Sequence, residues 1–236
     1  MLRVTRIPLA WAAVACVMLG VRAPRAGAAK SDLSNPKAAI ITMGRAMIDD
    51  DVKTATDATN VTDEQKPMFE QVVHMTHAMH LMEQAAVKKW GDEGKQVVQA
   101  PQRPGQKGAP AGYQDPEQRI KEVEGADVKI EGDTATVTPK GDTQKPITCK
   151  KVGGDWKVDM SSLRPPGGQG QMAAQMLSAM VKAANETSDE IKSDKFKTPA
   201  EARSAHQTKI QSAIMEMYQA NPGAFQQRGQ KGAPKD

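Results

Sequence analysis

The chain has 236 residues, and its basic side chains outnumber its acidic ones by 32 to 28, which gives a net charge of +4. The whole excess lies in residues 1–28, which contain four arginines and no acidic residue, so the remaining chain is close to neutral. A neutral chain lacks the basic surface expected of a nucleic-acid-binding protein, and we therefore expect no nucleic-acid partner.

The first 28 residues have the features of a secretory signal peptide. Arg3 and Arg6 precede an apolar run from Ile7 to Val21, and the small residues Ala26-Gly27-Ala28 follow. A run of about 15 residues suits a signal peptide and is shorter than the roughly 20 residues that a transmembrane helix needs. We therefore predict a signal peptide at 1–28 and an exported protein, periplasmic or extracellular, with no stable membrane span once the signal is removed.

Cys149 is the one cysteine that follows the predicted signal peptide, since Cys16 lies inside the apolar run. A single thiol cannot form an intramolecular disulfide, although an exported compartment would permit one. We predict that Cys149 is a buried, inert thiol and not a nucleophile.

Two helices are predicted before residue 60. Asn35-Pro36 supplies an N-cap and a first helical residue, and an apolar repeat continues from there to Met47. Asp51 is placed to cap a short second helix from Val52 to Ala58.

A long third helix is predicted from a capping box, in which Thr62 and Gln65 satisfy the first free amides. Gly91 and Gly94 are expected to end this helix. Its apolar residues fall within one arc of a helical wheel, namely Met68, Val72, Met75, Met79, Met82, Ala86 and Trp90.

Residues 99–118 are rich in Gln, Pro, Gly and Lys and nearly free of apolar side chains, which predicts a flexible loop. Within this loop, the sequence QRPGQKGAP at 102–110 is repeated as QRGQKGAP at 227–234. We interpret the repeat as low-complexity linker, or alternatively as a paired attachment motif for a surface or partner.

The hydrophobic period changes to two after this loop, which predicts a four-stranded antiparallel meander. One hairpin spans Val128 to Val137, and a second joins Pro146–Val152 to Trp156–Met160 through the turn Gly153-Gly154-Asp155. The segment Ile120–Val123 adds either a strand or a helical turn before the first hairpin.

A Pro- and Gly-rich linker is predicted at 163–171, followed by a helical hairpin at 172–220 and a disordered tail at 221–236. Thr198-Pro199-Ala200-Glu201 forms a second capping box and opens the last helix.

The order of these elements, with Gly153-Gly154-Asp155-Trp156-Lys157-Val158 as the most similar stretch, resembles the nuclear-transport-factor-2-like superfamily, and especially its small exported bacterial members. The resemblance covers residues 34–162 and implies an α+β fold in which N-terminal helices pack on a curved, cone-like antiparallel sheet. Enzymes of that superfamily place Asp and His inside the cone. The sheet half of this chain has no histidine, so the resemblance implies no catalytic residue here.

Histidines and methionines are interleaved on the third helix, as His74, Met75, His77, Met79, His80 and Met82. In an exported protein this pattern suggests copper, because imidazole and thioether both suit that metal. At 100° per residue, however, the two sets face different ways. His74 with His77, or His77 with His80, would need a third ligand from elsewhere. The alternative interpretation is that these histidines are structural or solvated.

From the sequence we predict a non-enzymatic binding or accessory protein with no cofactor. Its ligand would be a small apolar molecule or a protein partner, and the residues expected to line a cavity or core are Val72, Met75, Met79, Trp90 and Trp156. The alternatives are an envelope scaffold or homodimeric interaction module, and a weak copper site at His74, His77 and His80.

Overall fold

The computed structural model describes residues 31–99, 115–140, 146–161 and 170–220, and these all belong to one compact unit. The predicted signal peptide, the repeated segments 102–110 and 227–234, and the predicted tail from 221 onward lie outside the described residues.

In the described residues, helices precede and follow one antiparallel sheet of four consecutive strands, which confirms the predicted α+β class. The elements are α1 Pro36–Ile48, α2 Val52–Asp57, α3 Lys66–Trp90, a 3₁₀ helix Gly91–Val97, α4 Pro116–Glu124, β1 Asp127–Glu131, β2 Thr134–Thr138, β3 Ile147–Val152, β4 Asp155–Val158, α5 Gly170–Lys192 and α6 Pro199–Ala220. None of the helices in the described residues is both long and apolar enough to span a membrane.

Local capping signals set the starts of α1 and α2 as predicted, whereas α3 begins later than its capping box indicates. The side chains of Asn35 and Asp51 each accept a backbone hydrogen bond of 3.0 Å from the first turn of α1 and α2. Gln65 accepts the N–H of Thr62 at 3.0 Å, which is the return bond of the predicted capping box, but this bond closes a turn before the helix. Helix α3 begins at Lys66, where Pro67 fits the first turn, and Gln65 is its N-cap without a side-chain bond. Helix α3 ends where Gly91 takes a φ of 63°, a conformation that favours glycine.

The segment before the sheet corrects the predicted loop at 99–118, because α4 begins inside it at Pro116. Asp115 caps this helix by accepting the N–H of Glu117 at 2.9 Å. Asp-Pro is the same start signal as Asn35-Pro36, an N-cap followed by a proline that needs no hydrogen bond. The N-cap and the proline stabilise the first turn of this helix, although the low apolar content of the segment predicted a loop. Of the two structures predicted for Ile120–Val123, the helical one is present.

The sheet is an antiparallel meander in the order β1-β2-β3-β4, and both predicted hairpins are confirmed. The second turn is shorter than predicted, since Gly153 and Gly154 alone form it, with φ of 63° and 99°, and Asp155 already belongs to β4. One sheet face is buried against α1, and its core residues are Ala135, Val137, Cys149, Trp156 and Val158.

The outer edge of β4 is closed by the segment that follows α2. The N–H of Val158 donates to the carbonyl of Ala58 at 2.9 Å, and Asn60 donates back to Val158 at 3.1 Å. The carboxylate of Asp159 accepts from the Asn60 side chain at 3.1 Å and pairs with Lys150 at 2.9 Å. Burial raises the pKa of Asp159, but these bonds and one from the Ser161 backbone outweigh it and lower the pKa to about 2.

The predicted C-terminal helical hairpin is present as α5 and α6, and it packs on α3 rather than on the sheet. Lys89 of α3 donates to the carbonyl of Phe196, between α5 and α6, at 2.8 Å. The buried core of this layer comprises Ala78, Met82, Ala85, Ala86, Val97, Val98, Ala184, Ile191, Phe196 and Ala202. The long helix α3 therefore connects the sheet side of the molecule to the helical layer.

Candidate metal centre

The three histidines of α3 lie in different surroundings. His74 Nδ1 is 2.6 Å from Asp50 Oδ1, and His77 Nδ1 is 2.6 Å from the carbonyl oxygen of Ile48. Both therefore contact the turn between α1 and α2. Each step of three residues rotates the side chain by about 60° around the helix, so His80 faces a different neighbour. The structure does not bring the three histidines together as one site.

His80 is the buried member of the set, with 6% of its surface exposed. Its Nε2 atom lies 2.9 Å from the side-chain nitrogen of Gln84 and 3.8 Å from Oε1 of Glu117. Its Nδ1 atom is buried and has no hydrogen-bond partner among the described residues. Buried polar atoms almost always have a partner, so this nitrogen is available to a water molecule or an ion, as are Nδ1 of His206 and Oε2 of Glu122.

Two carboxylates converge on this imidazole. Ligand atoms of His80, Glu83 and Asp115 all lie within 4.8 Å of one another, and no other group of this kind is found in the described part of the chain. His80 and Glu83 are three residues apart and so share one face of α3. Asp115 reaches them from the N-cap of α4, and its neighbour Glu117 adds a third carboxylate.

This set of donors selects a class of metal ion. Imidazole nitrogen with carboxylate oxygen suits zinc and related divalent transition metals, whereas thioether ligands suit copper(I). Met82 is fully buried in the helical core and Met79 packs against it, so their sulfurs serve the core. The 3.8 Å between His80 and Glu117 is measured from Nε2, the ring nitrogen that also contacts Gln84, and not from the unpartnered Nδ1.

Lys95 supplies a positive charge near these carboxylates. Its ammonium lies 2.8 Å from Asp92 on the 3₁₀ helix that follows α3. Its pKa is raised, first by the bond with Asp92 and further by the nearby charges of Glu83 and Asp115. In a protein without bound metal, this lysine therefore balances part of the negative charge of the site.

Lys95→Gln is expected to raise the zinc affinity of the site about threefold or more, because it removes a cation that repels the metal. The matched control is Lys88→Gln, which removes the same charge from an exposed position on α3 and should leave the affinity unchanged. Isothermal titration of both variants with zinc checks this prediction. Equal affinity for the two variants would argue against a metal beside Lys95.

A surface groove of about 380 Å³ adjoins the site between α1 and α4. Glu117 lines it and also approaches His80, so the groove leads to the acidic cluster. Gly44 allows the two helices to lie close, since a Cβ atom there would stand 3.1 Å from Ile120. The other lining residues are Arg45, Ile48, Asp49, Ile120, Lys121 and Glu124.

The five residues predicted to line an apolar cavity do not meet at one place. Trp156 is buried in the core between the sheet and α1, whereas Met79 and Trp90 pack against the helical core. Val72 and Met75 are half-buried on α3. None of the five lines the groove between α1 and α4.

Cys149 is fully buried, and its sulfur lies 3.7 Å from the carbonyl oxygen of Pro36. Burial raises the pKa of this thiol to about 12, and the nearby Asp159 charge acts in the same direction. A thiol with this pKa carries almost no thiolate at neutral pH, so the expectation that Cys149 is buried and inert agrees with its surroundings.

Comparison with known proteins identifies no relative: no family model, no curated protein and no solved structure matches the chain. The assignment of a function therefore depends on the geometry of the chain's own residues.

Proposed function

We propose that this chain is an exported, non-enzymatic binding protein whose ligand is a divalent metal ion of the zinc class, held between α3 and the N-terminus of α4. The main support is the buried imidazole of His80, which has an orphaned ring nitrogen and stands among carboxylates. An acidic cluster alone would attract solvated cations weakly. A desolvated imidazole in the same cluster adds a ligand that zinc prefers.

Three protein groups lie close enough together to hold one ion. They are His80, Glu83 and Asp115, which offer one imidazole and two carboxylates. Three protein ligands hold a zinc ion and leave its fourth tetrahedral position to water or to a further group such as Glu117. Asp115 uses one oxygen to cap α4 and retains further acceptor capacity for a metal.

Metal binding would also fasten α4 to α3. Asp115 and Glu117 belong to the start of α4, and His80 and Glu83 to the middle of α3. An ion shared by the two helices binds the folded chain and not the unfolded one, so it stabilises the fold by mass action. Such a protein would act as a metal carrier, or as a module in which the bound metal holds α4 in position.

Two further parts of the proposal depend on the sequence. The signal-peptide features of residues 1–28 support export. Helices that precede a four-stranded antiparallel sheet, with a glycine turn leading into Trp156, support a nuclear-transport-factor-2-like relationship and a cone-like shape.

The experiment is native mass spectrometry of the protein recovered from the exported fraction of its expression host, without added chelator. We expect a chain that begins near residue 29 and carries one zinc ion, which a chelator removes. Zinc returned at 100 times its Kd should stabilise the apo protein by about 2.7 kcal/mol. A metal-free mass, together with a Tm that zinc, manganese and cobalt all leave unchanged, would contradict metal binding. An intact N-terminus would contradict only the export part of the proposal and would leave the metal-binding part untouched.

A further inference from the structure

Strand β1 forms an open edge of the sheet, and all five of its residues are exposed. Within the described residues it pairs only with β2, whereas the opposite edge, at β4, is closed by the segment after α2. Val128 and Ile130 of β1 are 38% and 56% exposed. An open edge with apolar side chains is a site where another strand can pair.

The register of the first hairpin shows which backbone groups are available on this edge. Glu131 and Thr134 face each other across a two-residue turn, and such a pair exchanges hydrogen bonds. Because hydrogen-bonded and non-hydrogen-bonded pairs alternate, Lys129 also bonds to β2. Val128 and Ile130 therefore direct their N–H and C=O groups outward, to the free edge.

The side chains of these two residues lie on the core face of the sheet. Val128 stands opposite Val137, and Ile130 opposite Ala135, both of which are fully buried. In β1, however, no described element covers that face. The polar side chains of the strand lie on the other face, where Lys129 and Glu131 form an ion pair of 2.7 Å.

We propose that two copies of the chain pair through β1 in an antiparallel arrangement, with the twofold axis at Ile130. In this register the two Ile130 side chains meet, and each Lys129 stands opposite Glu131 of the partner subunit. The backbone groups of Ile130 then form a hydrogen-bonded pair with their symmetry mates. The result is one continuous sheet of eight strands, in which the open edges of both copies are paired.

Charge and hydrogen bonding exclude the neighbouring registers. An axis at Lys129 places this lysine opposite itself and Asp127 opposite Glu131, and like charges that face each other are destabilising. An axis at Val128 requires the backbone N–H of Ala126, which already donates to Val123 at 3.0 Å. The axis at Ile130 requires no backbone group that is already bonded, and it pairs Lys129 with Glu131; its one like-charge pair, Asp127 with Asp133 of the partner subunit, lies at the ends of the overlap. Its alternating Lys and Glu make the edge complementary to a second copy of itself.

The test is a charge swap followed by sedimentation velocity. We expect the wild-type protein to be a dimer, and Lys129→Glu and Glu131→Lys each to weaken dimerisation tenfold or more. An equimolar mixture of these two variants should form a heterodimer, and the double variant carrying both changes should dimerise like wild type. Rescue of this kind distinguishes pairing across the twofold axis from an effect on folding.

Ile130→Pro is a second variant, which tests the backbone pairing of β1 without changing its charge. Proline removes the outward N–H of residue 130 but no bond to β2, so the monomer should keep its circular dichroism spectrum while the dimer is lost. A monomeric wild type, or a dimer that both single charge variants leave intact, would overturn the proposal. Because β1 shares no residue with the metal site, this outcome is independent of the zinc measurements.

Discussion

His80→Ala is expected to weaken zinc binding by 100-fold or more. The substitution removes the one imidazole of the site and leaves the carboxylates of Glu83 and Asp115, whose charges act on the nearby Lys95. Loss of a supporting residue around a metal typically costs 10- to 100-fold in affinity, and loss of a direct ligand costs at least as much. Isothermal titration of wild type and variant with zinc, at equal pH and ionic strength, measures the difference.

His74→Ala is the matched control, because it removes an imidazole from the same helix. His74 contacts Asp50 in the turn after α1, away from the proposed ligands. Its replacement should leave the zinc affinity within about twofold of wild type. If the two variants lost affinity equally, the row of histidines and not the cluster around His80 would bind the metal. Unchanged affinity in His80→Ala would reject this site directly.

Phe69→Ala is expected to lower the free energy of unfolding by about 3–5 kcal/mol. The Phe69 side chain is fully buried where α1, α2 and α3 meet, in contact with a core formed by Ala46, Ala55 and Val73. Ala46, Ala55 and Val73 are small side chains, so they cannot fill the space of a lost ring. The lost transfer free energy of the ring and the cavity that remains therefore both lower the free energy of unfolding. Urea unfolding followed by circular dichroism measures the loss.

Two controls separate cavity formation from a general effect of substitution. Phe69→Leu keeps most of the volume and should cost about half as much or less. Met176→Ala removes a side chain that is 42% exposed on α5, and should change stability by roughly 0.5 kcal/mol or less. A Phe69→Ala protein as stable as the Met176→Ala protein would contradict the packing described for the three helices.

Local signals in the sequence predict the starts of α1 and α2 and the hairpins. The caps at Asn35 and Asp51 each describe interactions within four residues, which require no knowledge of the fold. The capping box at Thr62 places the start of α3 too early, since the helix begins at Lys66. The glycine turns of the hairpins are equally local. The cap at Asp115 is of the same kind, but a long polar segment before it suggested a loop that continued into α4.

The buried surface of α3 was harder to predict, because the helix has neighbours on several sides. The predicted apolar arc includes Met82 and Ala86, which are fully buried. It places Val72 on the buried face, yet Val72 is half-buried and the adjacent Val73 is fully buried. A single arc describes a helix that packs on one surface, whereas α3 contacts α1 and α2 near its start and α5 farther along.

The candidate site was only partly predictable, since its ligands come from separate parts of the chain. The helical wheel predicts that the histidines and methionines of α3 face different ways; His74 and His77 contact the end of α1 and the turn after it, whereas Met79 and Met82 belong to the helical core. The carboxylates of Asp115 and Glu117 become neighbours of His80 only when α4 folds against the rest of the molecule. Glu83 is not among the candidate residues predicted from the sequence; its spacing of three residues from His80, on one helix face, is the local signal that could have indicated this cluster.

Zinc K-edge absorption spectroscopy of the zinc-loaded protein tests the central claim most directly, because it reports the ligands themselves. We expect a shell of about four nitrogen and oxygen atoms near 2.0 Å, with the outer scattering of a single imidazole and no sulfur. This result would match His80 with the carboxylates of Glu83 and Asp115, and with water or Glu117 in the fourth position. A sulfur shell near 2.3 Å, or scattering from two or three imidazoles, would contradict the proposed site.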